Sequence, residues 1–122
     1  MSHHAIAKAE EAFAKTGSDL IQRHIFICAE PQKGECCSPE KGQAAWKFLK
    51  KRLKQLGLDG KGGVARTKAD CLRICHAGPV AVVWPDGVWY HSCNEDVLEQ
   101  IIQRHLIGGE PVEEFRLHAP RG

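Results

Sequence analysis

Six cysteines, Cys28, Cys36, Cys37, Cys71, Cys75 and Cys93, are the residues of this 122-residue chain best suited to chemistry. Cys71 and Cys75 form a C-x3-C pair, and Cys28 and Cys37 form a wider C-x8-C pair. Four thiolates drawn from two such pairs hold either zinc or an iron–sulfur cluster. Structural zinc takes ligands two to four residues apart on both sides, so the wide half favours iron–sulfur and leaves a four-cysteine zinc scaffold as the alternative. A thioredoxin-type dithiol enzyme needs C-x-x-C at a helix N-terminus, and the chain has no such motif. Cysteine makes up about 5% of residues, below the roughly 8–10% of disulfide scaffolds, so metal or redox chemistry explains the thiols better than cross-linking does.

The elements that must position these thiols follow from local pattern. His24-Ile-Phe-Ile-Cys28 is a β-branched and aromatic run with little alternation, expected as a strand buried on both faces with Cys28 at its end. Ser38-Pro39-Glu40 reads as an N-cap, an N1 proline and an acidic first turn. Ala45, Leu49, Leu53 and Leu56 form the apolar stripe of the helix that starts there, and Gly57 ends it. Residues 63–67 are a second strand. The segment 79–84, the turn 85–87 and the segment 88–90 read as an antiparallel hairpin. Asn94 then caps a helix with Val97, Ile101 and His105 down one face, widened by Leu98 and Ile102 and stopped at Gly108-Gly109. Residues 5–15 form a short peripheral helix, with His3 and His4 in a disordered terminus before it. Residues 1–20 are thus an N-terminal extension and 21–119 one domain of α/β (α+β) class, a mixed sheet of about four strands flanked by helices.

Composition narrows the partners. Hydrophobic residues are 43% and charged residues 26%, as in ordinary globular domains. The formal net charge of +2 argues against nucleic acid or a membrane surface. With no long apolar run and no signal-type N-terminus, a cytoplasmic location is expected. Lys47, Lys50, Lys51, Arg52 and Lys54 make the first core helix strongly basic, either as a solvated face or as a docking face for an acidic partner.

Taken in order, His24-Ile-Phe-Ile-Cys28, Cys37, Cys71-Leu-Arg-Ile-Cys75, the block GPVAVVWPDGVWY at 78–90 and the block RHLIGGEPV at 104–112 resemble the thioredoxin-like 2Fe-2S ferredoxins. The resemblance spans residues 23–117, and that family is similar in its cluster site to the small iron–sulfur subunit of NADH dehydrogenase. It implies a thioredoxin-like fold, a surface 2Fe-2S cluster, one-electron transfer between protein redox partners, no enzymatic turnover and, often, a homodimer. Carried over, the ligands are Cys28, Cys37, Cys71 and Cys75. Cys36 competes with its neighbour, and Cys37 is preferred because it directly precedes the Ser38 cap, at the positive end of the helix. The eight residues between Cys28 and Cys37 make a shorter loop than many relatives have.

Thioredoxin folds commonly carry a cis-proline before the third strand, and Pro79 occupies that place. Two ferric ions, two sulfides and four thiolates carry a formal double negative charge, which reduction makes triple, so nearby cations are needed. The basic helix, Arg66, Lys68 and Arg73 are candidates. His76 beside Cys75 is either an exposed loop histidine or a donor that couples a proton to reduction. His24, His91 and His105 are edge or core residues, Cys93 is a structural thiol, and Trp46, Trp84, Trp89 and Tyr90 are packing residues. An accessory protein that binds and protects or modulates a partner enzyme according to redox state is the second functional reading.

Overall fold

The computed structural model describes residues 2–29, 38–60, 62–70, 72, 74 and 76–120. Helix α1 (His3–Lys15) starts ahead of the expected 5–15 span because the Ser2 hydroxyl caps it, accepting the Ala5 N–H at 3.1 Å. His3 and His4 therefore belong to its first turn rather than to a disordered end. Its apolar positions do not reach the core: Ile6 is 44% exposed and Phe13 52%.

Strand β1 (Arg23–Cys28), helix α2 (Pro39–Gln55) and strand β2 (Val64–Ala69) form a crossover unit, and the two strands pair in parallel with Ile25 opposite Arg66 and Cys28 opposite Ala69. Strands β3 (Ala81–Trp84) and β4 (Val88–Tyr90) make the expected hairpin, which joins β1 antiparallel to give the order β2-β1-β3-β4. Near the C-terminus, Arg116 bridges Tyr90, and Leu117 N–H donates to the Trp89 carbonyl at 2.8 Å, covering the outer edge of β4. Gly78–Pro79 is cis, as expected, and so is Trp84–Pro85.

Ser38 caps α2 by accepting the Lys41 N–H at 3.2 Å, and Asn94 caps helix α3 (Glu95–Gln100) by accepting the Val97 N–H at 3.0 Å. The expected helix through 107 departs from α geometry after Gln100 and runs through Ile107 in wider π-type turns that bury Ile101, Ile102, His105 and Leu106. Ile25, Ile27, Ala81 and Val83 join Ala45, Leu49 and Leu53 of α2 and Leu98, Ile101 and Ile102 in one core. Because both helices contribute to the core on that one face, His24 and Phe26 on the other face of β1 are only half-buried, and the expectation of a strand buried on both sides fails. Leu56 is exposed at the C-cap of α2, one turn beyond the buried stripe, and Gly57 follows in the left-handed region at φ 68°. Arg52 leaves the basic face for a bidentate pair with Glu99, at 2.7 and 2.9 Å, that ties α2 to α3. Among the described residues no helix is long and apolar enough to cross a membrane.

Candidate metal centre

Cys28 ends β1 with a fully enclosed side chain. Its N–H donates to the Val80 carbonyl at 3.0 Å, and the Val80 N–H donates to its sulfur at the same distance. The next residue, Ala29, donates to the Ala69 carbonyl. The backbone that carries the thiol is thus held on both sides, by Val80 and by Ala69 of β2. A backbone N–H aimed at a sulfur stabilises negative charge on it, which is what a thiolate ligand requires.

Two helices begin at this end of the sheet. The first turn of α2 lies against Ala29: a Cβ placed on Gly42 would come within 2.5 Å of the Ala29 carbonyl oxygen. Gly42 is therefore fixed by close approach, a role the sequence signalled only as a glycine inside a helical pattern. Helix α3 starts from β4, whose end Tyr90 pairs with Ala81 beside Ile27. An open cleft of about 430 Å³ runs between the two helix starts, lined by Lys41, Ala44, Gly78, Pro79, Ser92 and Asn94, with Glu95 and Asp96 at its side. Helix N-termini carry partial positive charge, so both favour anionic sulfur at this end, while Glu95 and Asp96 oppose it. Ala77 and Ser92 face each other across this region with φ 52° and 56°, a left-handed backbone that is costly for side-chain-bearing residues. The Ser92 N–H donates to the Ala77 carbonyl at 2.7 Å and holds the pair.

Of the four ligands expected from sequence, the described residues include Cys28; Cys37, Cys71 and Cys75 lie outside them, as do the competing Cys36 and the cation Arg73. Leu72 and Ile74 of the C-x3-C segment are described, Ile74 being 37% exposed. Cys93 is buried, and its N–H donates to the Pro79 carbonyl. Burial pushes its thiol well above the ordinary range, with the nearby Cys28 adding to the effect. His76 is exposed. Trp84 is 45% exposed and is no packing residue, whereas Tyr90 is fully buried.

The polar feature that sequence reasoning missed lies behind the hairpin. His105, wholly buried, sits between the Tyr90 hydroxyl on Nδ1 at 2.7 Å and the Asp86 carboxylate on Nε2 at 2.5 Å. Val112 N–H donates to the Tyr90 oxygen at 2.9 Å, and Arg23 Nε donates to Asp86 at 3.1 Å. An ionised Asp86 carboxylate can only accept, so Nε2–H donates to it, and in the neutral ring Nδ1 then accepts the Tyr90 proton. The His105 hydrogen bond, with Arg23 second, holds the Asp86 carboxyl below its ordinary range. The sequence carried Tyr90 as a strand residue, Asp86 as part of the hairpin turn and His105 as part of a helix face, and only their packing joins them.

No family model matches the chain. It is 32% identical over 96 residues to a 2Fe-2S ferredoxin of Aquifex aeolicus, covering 75% of this chain and 85% of that protein. It is likewise 32% identical over 101 residues to a 2Fe-2S ferredoxin of Clostridium pasteurianum, covering 79% of this chain and 96% of the relative. The crystal structure of the wild-type thioredoxin-like 2Fe-2S ferredoxin from Aquifex aeolicus matches with a TM-score of 0.66 at 28% identity, covering 80% of this chain and 97% of that one. The four-stranded mixed sheet agrees with these likenesses, and the chain belongs to the thioredoxin-like 2Fe-2S ferredoxins.

Proposed function

We propose that this chain is a one-electron carrier in which Cys28, Cys37, Cys71 and Cys75 hold a single 2Fe-2S cluster, and that it passes electrons between protein redox partners without substrate turnover of its own. Residues 21–119 form the ferredoxin domain and 1–20 an extension. When bound, the cluster supplies one-electron redox chemistry. The observation that carries the reading is Cys28, buried at the end of β1 with the Val80 N–H on its sulfur, at the sheet end where α2 and α3 begin. The Val80 N–H and the two helix starts favour added negative charge at this sulfur, which raises the reduction potential. Enclosure of the Cys28 side chain keeps water from the Cys28 sulfur.

The test is a visible spectrum of anaerobically purified protein, with iron, acid-labile sulfide and zinc assayed on the same sample. Bands that bleach with dithionite, with about two irons and two sulfides per chain, are expected. A colourless protein with one zinc and no sulfide would overturn the reading. Cys36→Ser and Cys37→Ser compared side by side decide the second ligand: loss of the bands only in Cys37→Ser is the expected result.

A further inference from the structure

Lys47, Lys50, Lys51 and Lys54 fall at i, i+3, i+4 and i+7 of α2, so all four project from one helix face, and all four are exposed. Like charges at these spacings repel and weaken a helix. Four arginines of the molecule are neutralised: Arg23 pairs with Asp86, Arg52 with Glu99, Arg104 with Glu114 and Arg116 with Glu113. The four lysines form no ion pair among the described residues; Lys50 lies over the Trp46 ring instead, 5.6 Å from its centre. Together they line a groove of about 460 Å³ with Arg66 from β2, an edge strand of the sheet. Asp59 is the only carboxylate along it among the described residues. Arg66 Nε is buried there with no hydrogen-bond partner among the described residues, a donor desolvated and left open.

A merely solvated helix face needs neither the same-sign stripe nor the unpartnered Arg66 Nε beside it. Five cations against one carboxylate call for an occupant that brings several carboxylates on a broad surface, as an acidic protein does. Arg66 is the groove residue whose place relative to Cys28 the sheet register fixes. Arg66 is three residues along β2 from Ala69, which pairs with Cys28, a separation of about 10 Å.

We propose that this groove is the docking site for the carboxylate-rich surface of a protein redox partner. The proposal rests on the electron-carrier reading for the redox character of that partner.

The probe is a hexaglutamate peptide, titrated into 15N-labelled holoprotein whose visible bands are recorded first. The expected result is shifts at the amides of residues 47–54 and 66, with affinity falling about tenfold between roughly 20 and 200 mM salt. Loss of binding in the triple variant K50E/K51E/K54E, its visible spectrum and helical circular dichroism unchanged, completes the expectation. Bands present but no shift at these amides, or unaltered affinity in the triple variant, would overturn the docking surface alone. Inorganic pyrophosphate binding more tightly than the peptide would overturn it in favour of a small phosphate ligand. Absence of the bands from the wild-type protein would instead overturn the electron-carrier reading, and with it the redox character assigned to the partner.

Discussion

The two polar regions of this molecule are built on opposite plans. At the Cys28 end, β1, the start of α2 and the 76–80 segment bring a sulfur and a backbone N–H together and leave an open cleft of about 430 Å³ between two helix starts. Behind the hairpin, Val112, Tyr90, His105, Asp86 and Arg23 form a chain in which each donor meets an acceptor, with His105 wholly enclosed. The first arrangement sets a thiol and a backbone N–H beside an open cleft. The second satisfies itself and serves the fold. A buried histidine between a hydroxyl and a carboxylate resembles a catalytic relay in outline, but here its polar partners are all structural. In this fold a fully partnered polar chain can serve packing alone.

The comparison makes a pair of substitutions diagnostic, and these carry the largest expected effects. Cys28→Ser should remove the visible bands and the acid-labile sulfide, because an alcohol is a poor substitute for a thiolate toward iron. His105→Ala should do the reverse. It deletes a fully buried ring and strands both the Tyr90 hydroxyl and one Asp86 contact, costing about 3 kcal/mol while the bands persist in the folded protein. Spectra together with urea unfolding of both variants check this. Loss of the bands in His105→Ala under conditions where circular dichroism shows it folded would erase the distinction between the two regions.

Gly42→Ala sharpens it further, because at the Cys28 end the sensitive quantity is space. The added Cβ meets the Ala29 carbonyl at 2.5 Å, backbone against backbone, with no flexible side chain to yield. A destabilisation of about 2 kcal/mol is expected despite alanine's better helix propensity, together with weaker retention of iron, since the residue displaced follows Cys28. Equal or greater stability of Gly42→Ala would show that α2 does not press on β1 there.

How much of this was readable beforehand divides along the same line. The C-x3-C spacing, the Ser38-Pro39 cap, the hairpin turn and the Asn94 cap are local signals, and the caps and the turn each led to their element because such chemistry acts within a few residues. Residues that act through long-range contact were hidden. His105 sits in an amphipathic pattern identical to that of an apolar residue, and nothing in the order Tyr90, His105, Val112 announces one oxygen shared among them. Arg52 looked like one more cation of a basic face until Glu99, 47 residues away, claimed it. Trp84 looked like core because aromatic residues in strands usually are, yet both helices cover the other face of the sheet. The ligand set was legible only through family resemblance and cysteine spacing, since Cys37, Cys71 and Cys75 lie outside the described residues.

The smallest effect concerns the phenol itself. Tyr90 is the only tyrosine in the chain, so its ionisation can be followed alone by difference absorbance near 295 nm. Burial raises its pKa above the ordinary 10.0, an effect that the Val112 N–H opposes only in part. In the folded protein the phenolate step should therefore begin later than in the unfolded chain. The linked stability runs in one direction: the contribution is fully present below pH 10.0, where both states hold the proton, and it is lost as pH rises from there through the folded value, because only the unfolded chain releases its proton readily. In His105→Ala, where the emptied site admits water to the hydroxyl, the step should move back toward 10.0. If it titrates at the ordinary value in the folded wild-type protein, the ring is not sealed behind the hairpin, and the contrast with the open cysteine end weakens accordingly.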